Sequence, residues 1–167
     1  MYRAHVLTIS DSSYYENKKD LSGEGLVKYL KELGYEVVGY DILSDDKELI
    51  SNKLKEICDR ELSDLILTTG GTGFNKRDNT PEATMDVIEK FVPGFGELMR
   101  LKSYEITKAG ILSRSVSGIR KSTLIINLPG SPKASYENLS FIADSLNHAL
   151  KMLLNDKNDC ANMKDER

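Results

Sequence analysis

Cysteine and histidine are scarce in this sequence, and their scarcity excludes several kinds of site. The two cysteines, Cys58 and Cys160, are far apart and neither belongs to a C-x-x-C pattern. We therefore expect two reduced thiols in a cytosolic protein rather than a disulfide. The two histidines, His5 and His148, are too few for a His-rich metal site. We expect structural or surface positions for both.

The sequence also lacks a strong net charge and a long apolar run. The formal net charge is −3, which gives no positive field that would favour DNA or RNA. No stretch approaches the ~20 apolar residues of a membrane span. Residues 1–10 contain no apolar stretch long enough for a signal peptide. We therefore expect a cytoplasmic protein whose partners include neither a nucleic acid nor a membrane.

Short apolar runs alternate with segments of helical periodicity along the 167 residues. The length, and the hydrophobic share of 40%, are typical of one globular domain. The alternation indicates an α/β layered domain with a largely parallel sheet, which we expect to span residues 1–154. The predicted strands cover residues 6–9, 35–43, 65–68 and 124–128.

Capping residues and prolines predict where the helices begin and end. Gly34 ends the first helix, and Ser44 is the predicted N-cap of the second. Thr80 is the predicted N-cap of the third, with Pro81 at its first position and its end before Pro93. Further predictions are a helix over 97–107, no clear pattern over 111–118, a final helix from Ser131 to Leu153, and a polar tail over 155–167.

Three polar or glycine-rich loops follow predicted strands: Ser10–Ser13, Gly70–Asp78 and Pro129–Ser131. Ligands of open α/β sheets bind beyond the carboxyl ends of the strands. We therefore expect the three loops to converge on one ligand site.

The segment Thr69–Gly73 is the most distinctive of these loops. Glycines let backbone N–H groups approach an anion closely and adopt positive φ, and the threonine hydroxyls add donors. A tight turn that merely needs glycine explains the pattern equally well. The segment is neither a P-loop nor a dinucleotide-binding fingerprint, because neither spacing occurs in it.

Two aspartates near these loops are candidates for metal binding. Asp78 follows Lys76 and Arg77 just before a predicted helix, an arrangement that suits a phosphate and a magnesium ion together. A solvated charged loop is the alternative. Asp45 follows the second predicted strand, where an acid in the first turn of a helix is also favoured by the helix dipole.

Several motifs together resemble those of the MoaB/Mog molybdopterin-binding family. The resemblance covers roughly residues 5 to 154, and it looks closer to the Mog branch than to MoaB. The motifs, in the family's order, are Ile9-Ser10-Asp11, Asp20-x-Ser22-Gly23, Thr68-Thr69-Gly70-Gly71-Thr72-Gly73, Arg77-Asp78-x-Thr80-Pro81-Glu82-Ala83-Thr84, Pro93-Gly94-Phe95-Gly96-Glu97, Leu112-Ser113-Arg114-Ser115 and Asn127-Leu128-Pro129-Gly130-Ser131-Pro132-Lys133.

The resemblance implies a three-layer α/β/α domain with a mostly parallel sheet, commonly assembled as a homotrimer. It implies transfer of AMP from Mg-ATP to the terminal phosphate of molybdopterin, with release of pyrophosphate. The adenylylated product would pass to a molybdate-inserting enzyme, a possible partner. Asp45 and Asp78 match the family's two functional aspartates, so the resemblance makes them the catalytic and magnesium-binding residues.

The three loops and the family resemblance together give a set of candidate substrate-binding residues. The set comprises Ser10, Asp11, Thr69, Gly70, Gly71, Thr72, Gly73, Ser113, Arg114, Asn127, Pro129, Gly130 and Ser131. Arg114 is also a candidate to neutralise phosphates, together with Lys76, Arg77 and Lys133.

Two other functions compete with adenylyl transfer. The first is a molybdopterin carrier or scaffold without enzymatic activity, which would not need two magnesium-binding acids. The second is a generic nucleotide-binding α/β domain. Tyr14 and Tyr15 add an open question, because they either stack on a pterin or adenine ring or cover the loop after the first strand.

Overall fold

The structure, a computed structural model, describes residues 1–154. The polar tail predicted over 155–167 lies outside the described residues. A single six-stranded sheet has the order β2-β1-β3-β6-β5-β4. The strands are β1 (Arg3–Ile9), β2 (Glu36–Leu43), β3 (Leu65–Thr69), β4 (Lys90–Phe91), β5 (Ser117–Arg120) and β6 (Thr123–Leu128).

Six α-helices accompany the sheet. They are α1 (Asp11–Tyr15), α2 (Leu21–Glu32), α3 (Lys47–Asp59), α4 (Thr80–Met85), α5 (Pro93–Ile106) and α6 (Pro132–Leu153), and a 3-10 helix covers Lys108–Leu112. Gly34 lies just past α2 with φ +87°, which confirms the predicted end of that helix. No helix in the described part of the chain is long and apolar enough to cross a membrane.

The sheet is parallel from β2 to β6 and antiparallel beyond. β1 pairs in parallel with both β2 and β3, and β3 pairs in parallel with β6. β5 then runs antiparallel to β6, and β4 antiparallel to β5. The predicted, largely parallel sheet is confirmed, and the carboxyl ends of β1, β3 and β6 share one edge of it.

Apolar side chains of the central strands alternate between the two faces of the sheet. On one face, Val6 and Leu67 belong to a buried cluster that also takes in α2, α5 and α6. On the other face, Leu7 and Ile66 pack in a second cluster with α3 and α4. Because both faces are covered by helices, the domain has the three α/β/α layers that the resemblance implied.

Two predicted caps are wrong by one or two residues. Asp46, not Ser44, is the N-cap of α3, because Asp46 Oδ1 accepts the Leu49 N–H (2.9 Å). Ser44 is fully buried instead. Thr80 is the first residue of α4 rather than its cap, and its N–H donates to the carbonyl of Gly71 (3.2 Å).

The third helix is much shorter than predicted, because the chain leaves it to join the sheet. α4 ends at Met85, well before Pro93. The N–H of Glu89 then donates to the carbonyl of Ile119 (2.8 Å) on β5. α5 begins at Pro93 itself, four residues before the predicted start, since proline fits the first turn of a helix. Ser10–Ser13, predicted as a loop, begins the short helix α1.

Candidate active site

The carboxyl ends of β1, β3 and β6 open into a polar cleft of about 430 Å³. The structure thus brings the three predicted loops together at one place. The predicted site residues that line this cleft are Ser10, Asp45, Thr69, Gly70, Gly71, Asp78 and Gly130.

The glycine-rich loop after β3 requires glycine at two successive positions. Gly70 and Gly71 have φ of +102° and +66°, in the left-handed region that side chains rarely adopt. A Cβ on Gly70 would lie 2.2 Å from the carbonyl oxygen of Ile9, and a Cβ on Gly71 2.3 Å from Thr80 Oγ1. The backbone of this loop is therefore held tightly against its neighbours and exposed to the cleft.

Asp45 follows β2 and is tied to Asp11 by two reciprocal hydrogen bonds. The Asp11 N–H donates to Asp45 Oδ2 (2.8 Å), and the Asp45 N–H donates to Asp11 Oδ1 (2.9 Å). Among the described residues, none donates a hydrogen bond to Asp45 Oδ1. Burial raises the pKa of the Asp45 carboxyl, and the negative charges of Asp11 and Asp78 raise it further.

Asp78 lies in a tight turn just before α4. Its Oδ2 accepts the Asn75 N–H (3.0 Å), and its own N–H donates to the carbonyl of Asn75 (2.9 Å). No residue between 1 and 154 donates a hydrogen bond to Asp78 Oδ1. A Cβ on Gly73 would lie 2.7 Å from Asp78 Oδ2, so glycine at this position leaves room for the carboxylate.

The two aspartates therefore present one bound and one uncommitted oxygen each, in a single cleft. Within residues 1–154, no group of three or more His, Cys, Asp or Glu side chains could hold a metal ion. Magnesium typically takes one or two protein carboxylates and fills its other positions with water and phosphate oxygens. The donor set thus fits a magnesium ion shared with a polyphosphate, and it does not fit a metal held by protein alone.

Arg77 forms a two-pronged ion pair with Asp11 at the rim of the cleft. Nε donates to Asp11 Oδ2 (2.6 Å) and Nη2 to Asp11 Oδ1 (3.0 Å). The hydrogen bonds from Arg77 lower the pKa of the Asp11 carboxyl. Asp11 is consequently engaged by protein groups, with Arg77 on one side and Asp45 on the other.

Arg114, a predicted phosphate ligand, is also engaged by protein groups. Its Nε donates to the carbonyl of Gly73 (2.8 Å) and its Nη2 to that of Asp78 (2.6 Å), while Nη1 pairs with Glu82. Arg114 therefore supports the loop between Gly73 and Asp78 and does not line the cleft. Of the other basic candidates, Lys76 is exposed and Lys133 pairs with Glu137 on α6 (3.8 Å).

Asn127 and Ser131 also serve local structure. Asn127 is fully buried, and its Nδ2 donates to Thr68 Oγ1 (3.0 Å) and Thr84 Oγ1 (2.9 Å). It therefore does not reach the cleft. Ser131 is the N-cap of α6, where its Oγ accepts the Ala134 N–H (3.1 Å).

A second pocket, of about 460 Å³, adjoins the cleft across the glycine-rich loop. Four predicted substrate-binding residues line it: Thr72, Gly73, Ser113 and Pro129. Its other walls are largely apolar and include Phe74, Ile106, Ala109 and Leu112. Eleven of the fifteen predicted site residues are thus divided between a polar cleft and an apolar neighbour, and the other four, Asp11, Arg114, Asn127 and Ser131, line neither.

Sequence reasoning missed a group of residues on the α2 side of the cleft. They are Thr8, Lys18, Lys19, Asp20 and Ser22. Asp20 caps α2, accepting the Gly23 N–H (3.0 Å), and Ser22 Oγ donates to the carbonyl of Gly130 (2.7 Å). The motif Asp20-x-Ser22-Gly23, which is part of the resemblance, was the sequence signal that could have identified this group.

Tyr14 and Tyr15 lie at the end of α1, and both are exposed. Their rings meet edge to face, with centroids 4.9 Å apart. Neither ring is among the residues that line the cleft, so stacking on a substrate ring stays a prediction.

Comparison with known proteins identifies relatives along nearly the whole domain. A family described as "Probable molybdopterin binding domain" matches residues 5–148. The molybdopterin adenylyltransferase of Helicobacter pylori (strain J99) is 42% identical over 151 residues, which cover 89% of this chain and 86% of the relative. Molybdenum cofactor biosynthesis protein B of Halalkalibacterium halodurans is 38% identical, over 93% of this chain and 92% of the relative.

Solved structures give the same answer for the fold. The crystal structure of the molybdopterin biosynthesis enzyme MoaB from Thermus thermophilus superposes with a TM-score of 0.88 at 41% identity. That match covers 93% of this chain and 98% of the other. A structure of MogA gives a TM-score of 0.85 at 31% identity, covering 90% and 99% of the two chains. The fold prediction is confirmed, whereas placement in the Mog rather than the MoaB branch stays a prediction.

Proposed function

The chain belongs to the MoaB/Mog molybdopterin-binding family, and from this premise we propose that it is a molybdopterin adenylyltransferase of molybdenum cofactor biosynthesis. The reaction transfers AMP from ATP to the terminal phosphate of molybdopterin and releases pyrophosphate. The relative from Helicobacter pylori carries this enzyme's name at 42% identity. A family match over residues 5–148 supports the pterin substrate.

One observation of the site supports the proposal independently of the similarity to known proteins. Asp45 and Asp78 line one cleft, each with one oxygen held by a backbone N–H and the other free of hydrogen bonds from the described residues. Such a pair would hold magnesium together with a triphosphate. When bound, the metal supplies positive charge that stabilises the departing pyrophosphate.

The chain's own groups then bind and orient two anionic substrates. The phosphate of molybdopterin is already a nucleophile, so no strong general base is required. The Gly70 N–H donates to the carbonyl of Leu128 (3.2 Å), so we assign the N–H groups of Gly71, Thr72 and Gly73, just past the carboxyl end of β3, to phosphate oxygens. Bringing two polyanions together in a fixed geometry is the main contribution we assign to this site.

The two pockets suggest a division of the substrates. We assign phosphates to the polar cleft beside Asp45 and Asp78, because acids, lysines and glycine backbone line it. We assign a ring system to the neighbouring pocket, whose apolar walls include Phe74 and Leu112. Thr72 and Gly73 would then lie between the ring and its phosphate.

We further propose that the enzyme is a cytoplasmic homotrimer that delivers its product to a molybdate-inserting enzyme. Exposed apolar side chains such as Phe91 and Leu101 support an association surface. The free, buried thiol of Cys58 is compatible with a reducing compartment.

A direct assay tests the activity. Purified protein is mixed with molybdopterin, ATP and magnesium, and adenylylated molybdopterin and pyrophosphate are measured together. We expect both products in equal amounts. If the protein binds molybdopterin tightly yet forms neither product, it is a carrier and the enzymatic proposal is wrong. If it binds no pterin, the generic nucleotide-binding alternative replaces both.

A further inference from the structure

The ion pair between Arg77 and Asp11 joins two parts of the rim that are distant in sequence. Arg77 belongs to the loop after the Gly70–Gly73 segment, and Asp11 begins α1. Nε and Nη2 of one guanidinium meet both oxygens of one carboxylate, at 2.6 and 3.0 Å. Two-pronged pairs of this kind restrict orientation more strongly than a single contact does.

Asp11 passes this restriction on to Asp45. Asp11 Oδ1, which accepts from Arg77, also accepts the Asp45 N–H, and the Asp11 N–H occupies Asp45 Oδ2. The Asp11 carboxylate holds the Asp45 backbone, and the Asp11 backbone N–H holds one oxygen of the Asp45 carboxylate. The free Asp45 Oδ1 lies 3.3 Å from where a Cβ on Gly71 would be. A chain of contacts thus runs from Arg77 through Asp11 to one of the two acids of the cleft.

The negative charges around Asp45 explain why Asp11 needs a positively charged partner. Asp11, Asp45 and Asp78 are close enough for the charges of the first and third to act on the second. Three carboxylates repel one another, and the positive charge of Arg77 offsets this repulsion at Asp11. Arg77 pairs with Asp11 and holds it against Asp45.

We propose that Arg77 and Asp11 form a positioning clamp that fixes Asp45 for a divalent cation, so that Arg77 acts through Asp11 and not as a phosphate ligand. The inference rests on the proposed function, because it assigns the cation to Asp45 and Asp78. It changes the role of Asp11, which becomes a positioning residue instead of a substrate contact.

Metal binding without turnover gives the first test. Manganese replaces magnesium as a spectroscopic probe, and the affinity of the protein for manganese in complex with a non-hydrolysable ATP analogue is measured by electron paramagnetic resonance for wild type, Arg77→Ala, Asp11→Ala and the double variant. Partners that orient a metal ligand typically contribute about tenfold to metal affinity. We expect each single variant to lose about tenfold, and the double variant to lose no more than either single variant.

Binding of ATP in the presence of EDTA separates the clamp from direct phosphate recognition. A clamp leaves metal-free ATP affinity unchanged in Arg77→Ala. A weaker metal-free affinity in Arg77→Ala alone would identify a phosphate ligand and overturn the proposal. Unchanged manganese affinity in Arg77→Ala, independent losses that multiply in the double variant, or no manganese binding by wild type would overturn it as well.

Matched substitutions control for a general loss of structure. Arg77→Lys keeps the charge but cannot form the two-pronged pair, so we expect it to lose manganese affinity as Arg77→Ala does. Arg120→Lys breaks the equivalent pair with Asp59 (2.9 and 2.9 Å) outside the cleft and should leave manganese affinity unchanged. Because neither binding test requires AMP transfer, failure of the clamp and failure of the proposed function are separate results.

Discussion

Aspartates form different contacts at the amino ends and at the carboxyl ends of the parallel strands, which are the amino edge and the carboxyl edge of the sheet. At the amino edge, Asp64 accepts hydrogen bonds from Arg3 on both oxygens, including the Arg3 N–H (2.8 Å) and Nη2 (2.7 Å). At the carboxyl edge, Asp45 and Asp78 each keep one oxygen without a donor among residues 1–154. Because the residue type is the same, the ligand site differs from the structural site in the hydrogen bonds that its carboxylates leave unmade.

The pKa shifts have opposite signs at the two edges. Burial alone would raise the pKa of Asp64, but the hydrogen bonds and charge of Arg3 outweigh it and the pKa is lowered. For Asp45, burial dominates and the neighbouring Asp11 and Asp78 add to it, so the pKa is raised. Ionised Asp64 therefore stabilises the fold, whereas ionised Asp45 destabilises it.

Removing charge at the carboxyl edge should have the largest effect, and the effect should be on activity. We expect Asp45→Asn and Asp78→Asn to lower kcat/KM for AMP transfer by about 100-fold or more, because a metal contributes several kcal/mol of charge stabilisation. Neither variant should unfold at a lower temperature than wild type. Asp59→Asn, which loses ion pairs with Arg120 and Lys121 outside the cleft, should keep full activity. Loss of activity in all three variants would remove the distinction between the edges.

Filling the space at the glycine-rich loop should have the next largest effect. Gly71→Ala places a Cβ 2.3 Å from Thr80 Oγ1 at a φ of +66°, so we expect a loss of about 1–3 kcal/mol in the free energy of unfolding. Activity should also fall, since the backbone of the loop must shift. Gly25→Ala is the control, because nothing lies within 4 Å of a Cβ there and alanine favours the α2 helix. Equal destabilisation by both substitutions would contradict the tight fit.

The pH dependence of unfolding should distinguish Asp64 from Asp45. The lowered pKa of Asp64 gives stability that is fully present above about pH 4 and is lost as the pH falls through the folded-state pKa. Asp64→Asn should therefore reduce the fall in the free energy of unfolding in acid. At neutral pH the substitution should lower that free energy by about 1–2 kcal/mol.

Asp45 should have the opposite effect on the pH dependence of stability, when the free energy of unfolding in urea is measured over the same pH range for wild type, Asp64→Asn and Asp45→Asn. Because its folded-state pKa is raised, stability falls as the pH rises from about 4 through that pKa. Asp45→Asn should remove this fall and make the protein more stable than wild type at neutral pH. A less stable Asp45→Asn variant would show that the acid is structural.

The smallest expected effect belongs to Arg120→Lys. Its pair with Asp59 is partly solvated, and such pairs contribute little, so we expect the melting temperature to fall by only about 2–4 °C. AMP transfer should be unaffected. A calorimetric scan beside Arg77→Lys would show whether the two two-pronged pairs contribute differently to thermal stability.

The parallel part of the fold could be predicted from sequence because its signals are local. β3 and β6 contain the continuous apolar runs at residues 65–67 and 124–126, and every residue of both strands is buried. The glycines and acids of the cleft follow such strands directly, so topology alone brought them together. β4 and β5 have two and four residues, and the antiparallel edge that they form depends on contacts such as that between Glu89 N–H and the carbonyl of Ile119. No residue pattern within the segment reveals those contacts.

The roles of individual polar side chains were harder to predict, since partners distant in sequence decide them. The sequence pattern suggests a free basic residue at Arg114, but its guanidinium donates to the carbonyls of Gly73 and Asp78. Asn127 is a polar residue near the end of a strand, where a ligand contact was expected, but its amide donates to two buried threonine hydroxyls instead. Ser44 was the predicted cap of α3, but the backbone path after β2 makes Asp46 the cap.

The position of β6 in the sheet has a consequence for synthesis of the chain. β6 is the last strand within residues 1–154, yet it lies inside the sheet between β3 and β5. Until residues 123–128 leave the ribosome, β3 carries an apolar edge with unpaired backbone groups, and β5 has no neighbour on that side. Such an edge invites pairing with other chains. A ribosome stalled before residue 123 would therefore release an aggregation-prone fragment that also lacks one wall of the cleft.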